Sequence, residues 1–322
     1  SARIPLAWQP FERSPDGINP GSSSGPGISQ LGVKPDLVAT GTDVWCARPG
    51  GGWAAVTGTS FSAPHVAGAM AVLRGHRPGL DLRHYRSLII NTAVPLLDAA
   101  GKPLPVMAQG AGRLNLEAAL AATVTAYPTS LHLGSSRGSF QIERPFKLFN
   151  LGAEAATCQI SILPRAGAAP VVEPSELAID AGGEAWAVLK WQADNWKPGQ
   201  YDGLLRVDCQ GQSGLLSIPY WHGVTGNTVS GLKIVMSEST GKAGQPLYWA
   251  AQFRLVDEAG LPLDGMKPAV TVVSGSGAVL DVFSFAHVFP GIYVAHVRPG
   301  PGQNVFRISA GGLTRDFTIT GE

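Results

Sequence analysis

The chain has 322 residues, a length that suits two or three domains. Hydrophobic residues make up 44%, charged residues only 15%, and the formal net charge is +1, so nothing points to nucleic acid or an anionic membrane as partner. No apolar run reaches the roughly 18 residues of a spanning helix, and three cysteines are too few for a disulfide scaffold or a regularly spaced zinc site.

The 41 glycines and 25 prolines suit a turn-rich β protein. Ser1-Ala2-Arg3-Ile4-Pro5 lacks the basic and apolar regions of a signal peptide. Residues 1–32 read as loop, with Ser14-Pro15-Asp16-Gly17 and Pro20-Gly21-Ser22-Ser23-Ser24-Gly25-Pro26-Gly27 as turn signals. Taken alone, they equally suit a disordered linker. Gly32-Val33-Lys34-Pro35-Asp36-Leu37-Val38-Ala39-Thr40-Gly41-Thr42-Asp43-Val44-Trp45 follows.

The string Gly58-Thr59-Ser60-Phe61-Ser62-Ala63-Pro64-His65-Val66-Ala67-Gly68 places a serine where a glycine-led turn enters a helix. Ala63, Val66, Ala67, Ala69, Met70, Ala71, Val72 and Leu73 make that helix apolar nearly all round, which predicts a mostly buried element with Val66, Met70 and Leu73 in the core. Pro64 is expected in the first turn, and Gly75 and Pro78 end the helix. Ser60 at a helix start is open to two readings. One is a plain N-cap. The other is a nucleophile whose own backbone N–H and helix dipole face a developing oxyanion.

Apolar residues at 82, 85, 88 and 89 predict a second helix over 81–93. Asn115 is a candidate N-cap for a short helix after Gly110-Ala111-Gly112. From residue 123 the period becomes alternating, as in Cys158, Ile160, Ile162 and in Leu205, Val207, Cys209. Turns recur at Gly182-Gly183 and Pro198-Gly199, the pattern of an antiparallel sandwich. Residues 226–322 repeat it, with strands at 250–256, 269–273, 292–297 and 305–308.

The eleven-residue string resembles the serine motif of the subtilisin-like serine peptidases (subtilases). Lys34-Pro35-Asp36 and Ser22-Ser23-Ser24-Gly25-Pro26 resemble the segments that precede it, although Thr40 replaces a usual proline and no phenylalanine precedes the serines. Gly110-Ala111-Gly112-Arg113-Leu114-Asn115 resembles the segment that closes the catalytic domain. Residues 123–225 resemble a fibronectin type III-like module, on Tyr201-Asp202-Gly203 and Tyr220-Trp221-His222. Residues 226–322 resemble an invasin-type immunoglobulin-like module. The implied fold is multidomain: residues 1–122 as the C-terminal part of an α/β subtilisin-like domain, then two antiparallel β-sandwiches.

By that resemblance Ser60 is the acyl-transfer nucleophile and Thr59 supports the turn. The family's chain order puts the triad aspartate and histidine before the serine, and no motif for either precedes Ser60. His65, five positions on, points away from Ser60 around the helix and reads as structural. His76, His84, His132, His222, His287 and His296 have no acid in a recognisable frame. Asp36 and Asp43 read as turn or surface acids. No ligand spacing suggests a metal, although the resemblance admits a structural calcium ion.

The expected function is the C-terminal part of a secreted serine endopeptidase, extracellular or at the cell surface, acting on protein or peptide. A missing N-terminal part of the catalytic domain is the implied partner, and the chain alone is expected to be inactive. The alternative is a binding or structural β-module protein carrying an inactive subtilase remnant. Cys158 and Cys209 point into one sandwich core. They either form a disulfide closing about fifty residues or remain two buried thiols.

Overall fold

The computed structural model describes residues 17–25, 32–210 and 215–322. Most of the loop expected over 1–32 lies outside those residues. Among the described residues the first elements are an antiparallel hairpin, β1 (Val44–Ala47) and β2 (Trp53–Val56), and then four helices. They are α1 (Thr59–His76), α2 (Leu82–Asn91), α3 (Val106–Gln109) and α4 (Leu116–Ala121). Asn115 caps α4, its side chain accepting from Ala118 N at 3.1 Å. On α2, Tyr85, Leu88 and Ile89 are buried as the spacing predicts, whereas Leu82 stays exposed.

Nine strands come next. They are β3 (Val124–Tyr127), β4 (Leu131–Ser136), β5 (Phe140–Asn150), β6 (Ala156–Pro164), β7 (Val171–Glu173), β8 (Glu176–Ile179), β9 (Glu184–Ala193), β10 (Gly199–Cys209) and β11 (Leu216–Val224). They form two sheets, ordered β3-β5-β9-β7 and β4-β11-β10-β6-β8. Phe146, Leu148 and Leu189 from the first sheet meet Leu205, Val207 and Tyr220 from the second in one core. Alternation made this legible, because each strand sends every second residue inward. Cys158 and Cys209 are direct partners on neighbouring strands of one sheet, and their sulfurs are bonded.

The remaining strands are β12 (Gly231–Ser237), β13 (Thr240–Gly241), β14 (Leu247–Val256), β15 (Ala269–Ser274), β16 (Ala278–Ser284), β17 (Ile292–Arg298), β18 (Gly302–Ala310) and β19 (Leu313–Gly321). Sheets β12-β14-β17-β16 and β13-β19-β18-β15 enclose Phe253, Tyr293, Phe306 and Ile319. The expected purely antiparallel pairing needs correction. β4 runs parallel to β11, and β13 runs parallel to β19. Each such strand joins a sheet after a longer connection rather than through a tight hairpin.

The helical part is bound tightly to the first pair of sheets. Ser87 and Asn91, one turn apart on α2, are fully buried. Asn91 Nδ2 donates to Thr129 O (2.8 Å) and to Ser217 O (2.9 Å), while its Oδ1 accepts from Ser87 Oγ (2.9 Å). Ser87 Oγ accepts in turn from Ala126 N at 2.7 Å. Asp202 on β10, also buried, accepts from Val106 N at 2.8 Å and pairs with Arg165. Val33, Met107, Leu204, Trp221 and Leu261 add a small apolar cluster that joins the helical part to both β regions.

Helix α1 departs from expectation. Only Ala69 and Leu73 are buried, and Val66 and Met70 are half-buried against α2 and α4. Ala63, Ala67, Ala71 and Val72 are exposed. An α/β layer covers its helices with a sheet. Among the described residues, the helical part has only the β1-β2 hairpin, so the far side of α1 has nothing over it.

Candidate active site

Ser60 is the second residue of α1, and the N-cap is Gly58, so the plain N-cap reading of Ser60 fails. The turn is held from the hairpin side. Gly58 N donates to Gly41 O (2.8 Å), Phe61 N to Gly58 O (3.0 Å), and Asp43 N to Thr57 Oγ1 (3.0 Å). Gly41 has to be glycine here, because a Cβ would stand 2.1 Å from Ser62 Oγ and 2.9 Å from Gly58 O. Thr59 is the first helical residue and exposed. Sequence reading had missed Thr57 and Gly41. Their signal lies in pairing across the chain, which no local motif carries.

This geometry leaves the start of α1 chemically open. A glycine N-cap supplies no side chain to the first-turn N–H groups, and no acid stands in that turn. Phe61 N is turned back on Gly58 O, so the donors ahead of it and the positive end of the dipole are what face an incoming anion. Pro64 is the sixth helical residue rather than part of the first turn. It has no N–H, so Ser60 C=O lacks the usual i+4 donor, which loosens the helix beside the serine. Ser60 itself is exposed, and among the described residues no side chain hydrogen-bonds to it.

All seven histidines lie within the described residues, and each is placed away from Ser60 or committed elsewhere. His65 Nδ1 lies 2.7 Å from Phe61 O, one turn back on the same helix. His76 ends α1, about 24 Å along the axis from Ser60. His84 Nδ1 bonds Thr125 Oγ1 at 2.9 Å, and His132 stacks on Trp221. His222 Nε2 bonds Ser136 Oγ at 2.9 Å, and His287 packs on Phe285. His296 does have an acid beside it, Asp281 Oδ1 at 2.7 Å, which the sequence did not reveal; the pair sits on the β16-β17 sheet. Asp36 pairs with Lys34 (2.5 Å) and Arg86 (3.5 Å), and its carbonyl accepts from Ala111 N (3.0 Å), a structural use of that acid. Among the described residues no three His, Cys, Asp or Glu side chains converge as a metal site.

A groove beside the serine helix is lined by Asp36, Leu37, Ala63, Val66, Ala67 and Met70. Its lining is apolar apart from Asp36, which is paired with Lys34 and Arg86. Taken together, the described residues hold an exposed serine hydroxyl at a helix start, with no histidine beside it.

Residues 12–112 match the family model of the subtilase family, Peptidase_S8. The minor extracellular protease Vpr of Bacillus subtilis (strain 168) is 29% identical over 201 residues, covering 58% of this chain and 24% of that protein. A match of that length necessarily reaches past α4 into the strands. The subtilisin-like protease SBT3.16 of Arabidopsis thaliana is 39% identical over 94 residues, 29% of this chain and 12% of its own. Subtilisin Savinase of Lederbergia lenta is 39% identical over 69 residues, 21% of this chain and 26% of its own. This chain thus spans about a quarter or less of each of these three relatives. Among solved structures, Yersinia pseudotuberculosis InvD is similar over 62% of this chain and 56% of its own, at 15% identity and a TM-score of 0.27. No described helix is long and apolar enough to cross a membrane. The serine segment of this chain is thus similar to the subtilase family over residues 12–112.

Proposed function

We propose that Ser60 is the nucleophile of an extracellular serine endopeptidase whose base and orienting acid come from a segment other than those described. The observation that carries this reading is the state of α1. Its start is open to an anion, and its outer apolar face, Ala63, Ala67, Ala71 and Val72, has no cover among the described residues. A helix apolar nearly all round belongs inside a domain. In this reading the segment that covers α1 also brings the histidine to Ser60.

The chemistry is acyl transfer. The histidine takes the Ser60 hydroxyl proton as Oγ attacks the scissile carbonyl carbon. The oxygen becomes negative and accepts from the Ser60 backbone N–H. Collapse expels the amine, which takes the proton back from the histidine, and water then releases the acyl group. The substrate is protein or peptide. Residues 1–122 form part of the catalytic domain, and 123–225 and 226–322 are two β modules that space it or hold it at a surface. Without its base, the chain alone is inactive.

A second reading has one observation behind it. With no base among the described residues and most elements in β modules, the chain also suits a binding protein on a silent remnant. Fluorophosphonate labelling separates the two. The chain alone should not label. Mixed with a subtilase segment bearing the Asp and His motifs, it should label at Ser60, and Ser60→Ala should abolish the label. Labelling of the isolated chain, or none after complementation, would overturn the proposal.

A further inference from the structure

The outer face of sheet β12-β14-β17-β16 carries a second candidate site, independent of Ser60. Strand β17 lies between β14 and β16, and both neighbours are irregular at the same level. Leu247 pairs with Val297 and Ala251 with Ala295, so four residue steps on β14 face two on β17. Val279 pairs with Val297 and Asp281 with His296, so two steps on β16 face one. Trp249, inside the first irregularity, has φ +61, a left-handed conformation that costs a bulky side chain free energy. Bulges re-aim side chains, and strained residues of this kind gather at functional sites.

Both irregularities act on one patch. Ala295 and Val297 point into the core, so His296 points outward. The rings of Tyr248 and Phe283 lie 5.1 Å and 5.0 Å from its ring. Trp249 packs edge-on against Phe283 (6.0 Å) and Phe285 (5.1 Å). Despite that packing, Tyr248 is 63% exposed and Trp249 40%. Beside them, His296 Nδ1 holds Asp281, whose carboxylate remains 60% exposed.

We propose that this patch binds a neutral β-linked polysaccharide. Exposed rings next to an oriented carboxylate match the two faces of a sugar. The axial C–H face of an equatorially substituted ring lies on an aromatic surface. Its hydroxyls donate to a carboxylate, which only accepts. The rings and the carboxylate project from the face of β14, β17 and the edge strand β16, whereas a peptide added as a strand would pair with edge backbone groups and leave this face untouched. The exposed Asp281 carboxylate would repel an anionic sugar, which favours a neutral one.

The test is affinity electrophoresis of the full chain through gels containing hydroxyethyl cellulose, laminarin or soluble chitin. Retardation is expected in at least one gel and should be competed by the matching hexasaccharide, not by casein peptides. Tyr248→Ala and Asp281→Asn change exposed side chains, so the fold should survive, as checked by thermal unfolding. Each should weaken binding at least tenfold, and Ser60→Ala should leave it unchanged. No retardation in any gel, retardation competed by casein peptides, or retardation that survives both substitutions would overturn the proposal.

Discussion

Replacing Asn91 with alanine tests how firmly the helical part is joined to the first β region. Asn91 is fully buried and makes three hydrogen bonds of 2.8, 2.9 and 2.9 Å. Two of them cross to the β region, at Thr129 O and Ser217 O. Each neutral bond contributes about 1 kcal/mol net, so truncation should cost about 3 kcal/mol. With a urea dependence of about 3 kcal/mol per molar, the midpoint should fall by about 1 M. Tryptophan fluorescence reports the β region through Trp191 and Trp221, and far-ultraviolet circular dichroism reports the helices. Both signals should move together, because the same residue holds both parts. Asn115→Ala, which removes only the α4 cap, should cost about 1 kcal/mol. A midpoint shift below about 0.3 M, or helical loss well before the fluorescence change in the unsubstituted chain, would refute the reasoning.

Four further outcomes are expected. The Cys158–Cys209 bond closes a separation of 51 residues, so the double alanine variant should lose about 4 kcal/mol in the chain-entropy model, measured by urea unfolding. Without reductant, the native chain should titrate one thiol, Cys46. Val72→Glu on the uncovered face of α1 should change the stability of this chain by less than about 0.5 kcal/mol and yet block complementation of labelling at Ser60; unimpaired complementation would mean that face is not a docking surface. Burial holds His84, His132 and His222 below the ordinary histidine value. The unfolded chain therefore binds more protons as pH falls through about 6.5, so stability is full above that value and declines below it. Thermal midpoints should drop between pH 7.5 and 5.5, and a flat profile would refute this.

The sequence alone located the serine segment, the α4 cap at Asn115, the second helix and the alternating strands. These signals depend on neighbours within about four residues, where periodicity and capping act. It also put Cys158 and Cys209 in one core, since alternation settles which face a residue occupies. It could not say that they sit opposite each other on adjacent strands, because register is fixed by pairing over some fifty residues. For the same reason it missed Thr57 holding Asp43, Asp202 reaching Val106, and two bulges bringing Asp281 to His296. It assigned α1 to a buried place from composition, whereas burial depends on what else packs there. An apolar helix is covered only where another part of the fold supplies a surface for it, and that surface is decided by tertiary structure.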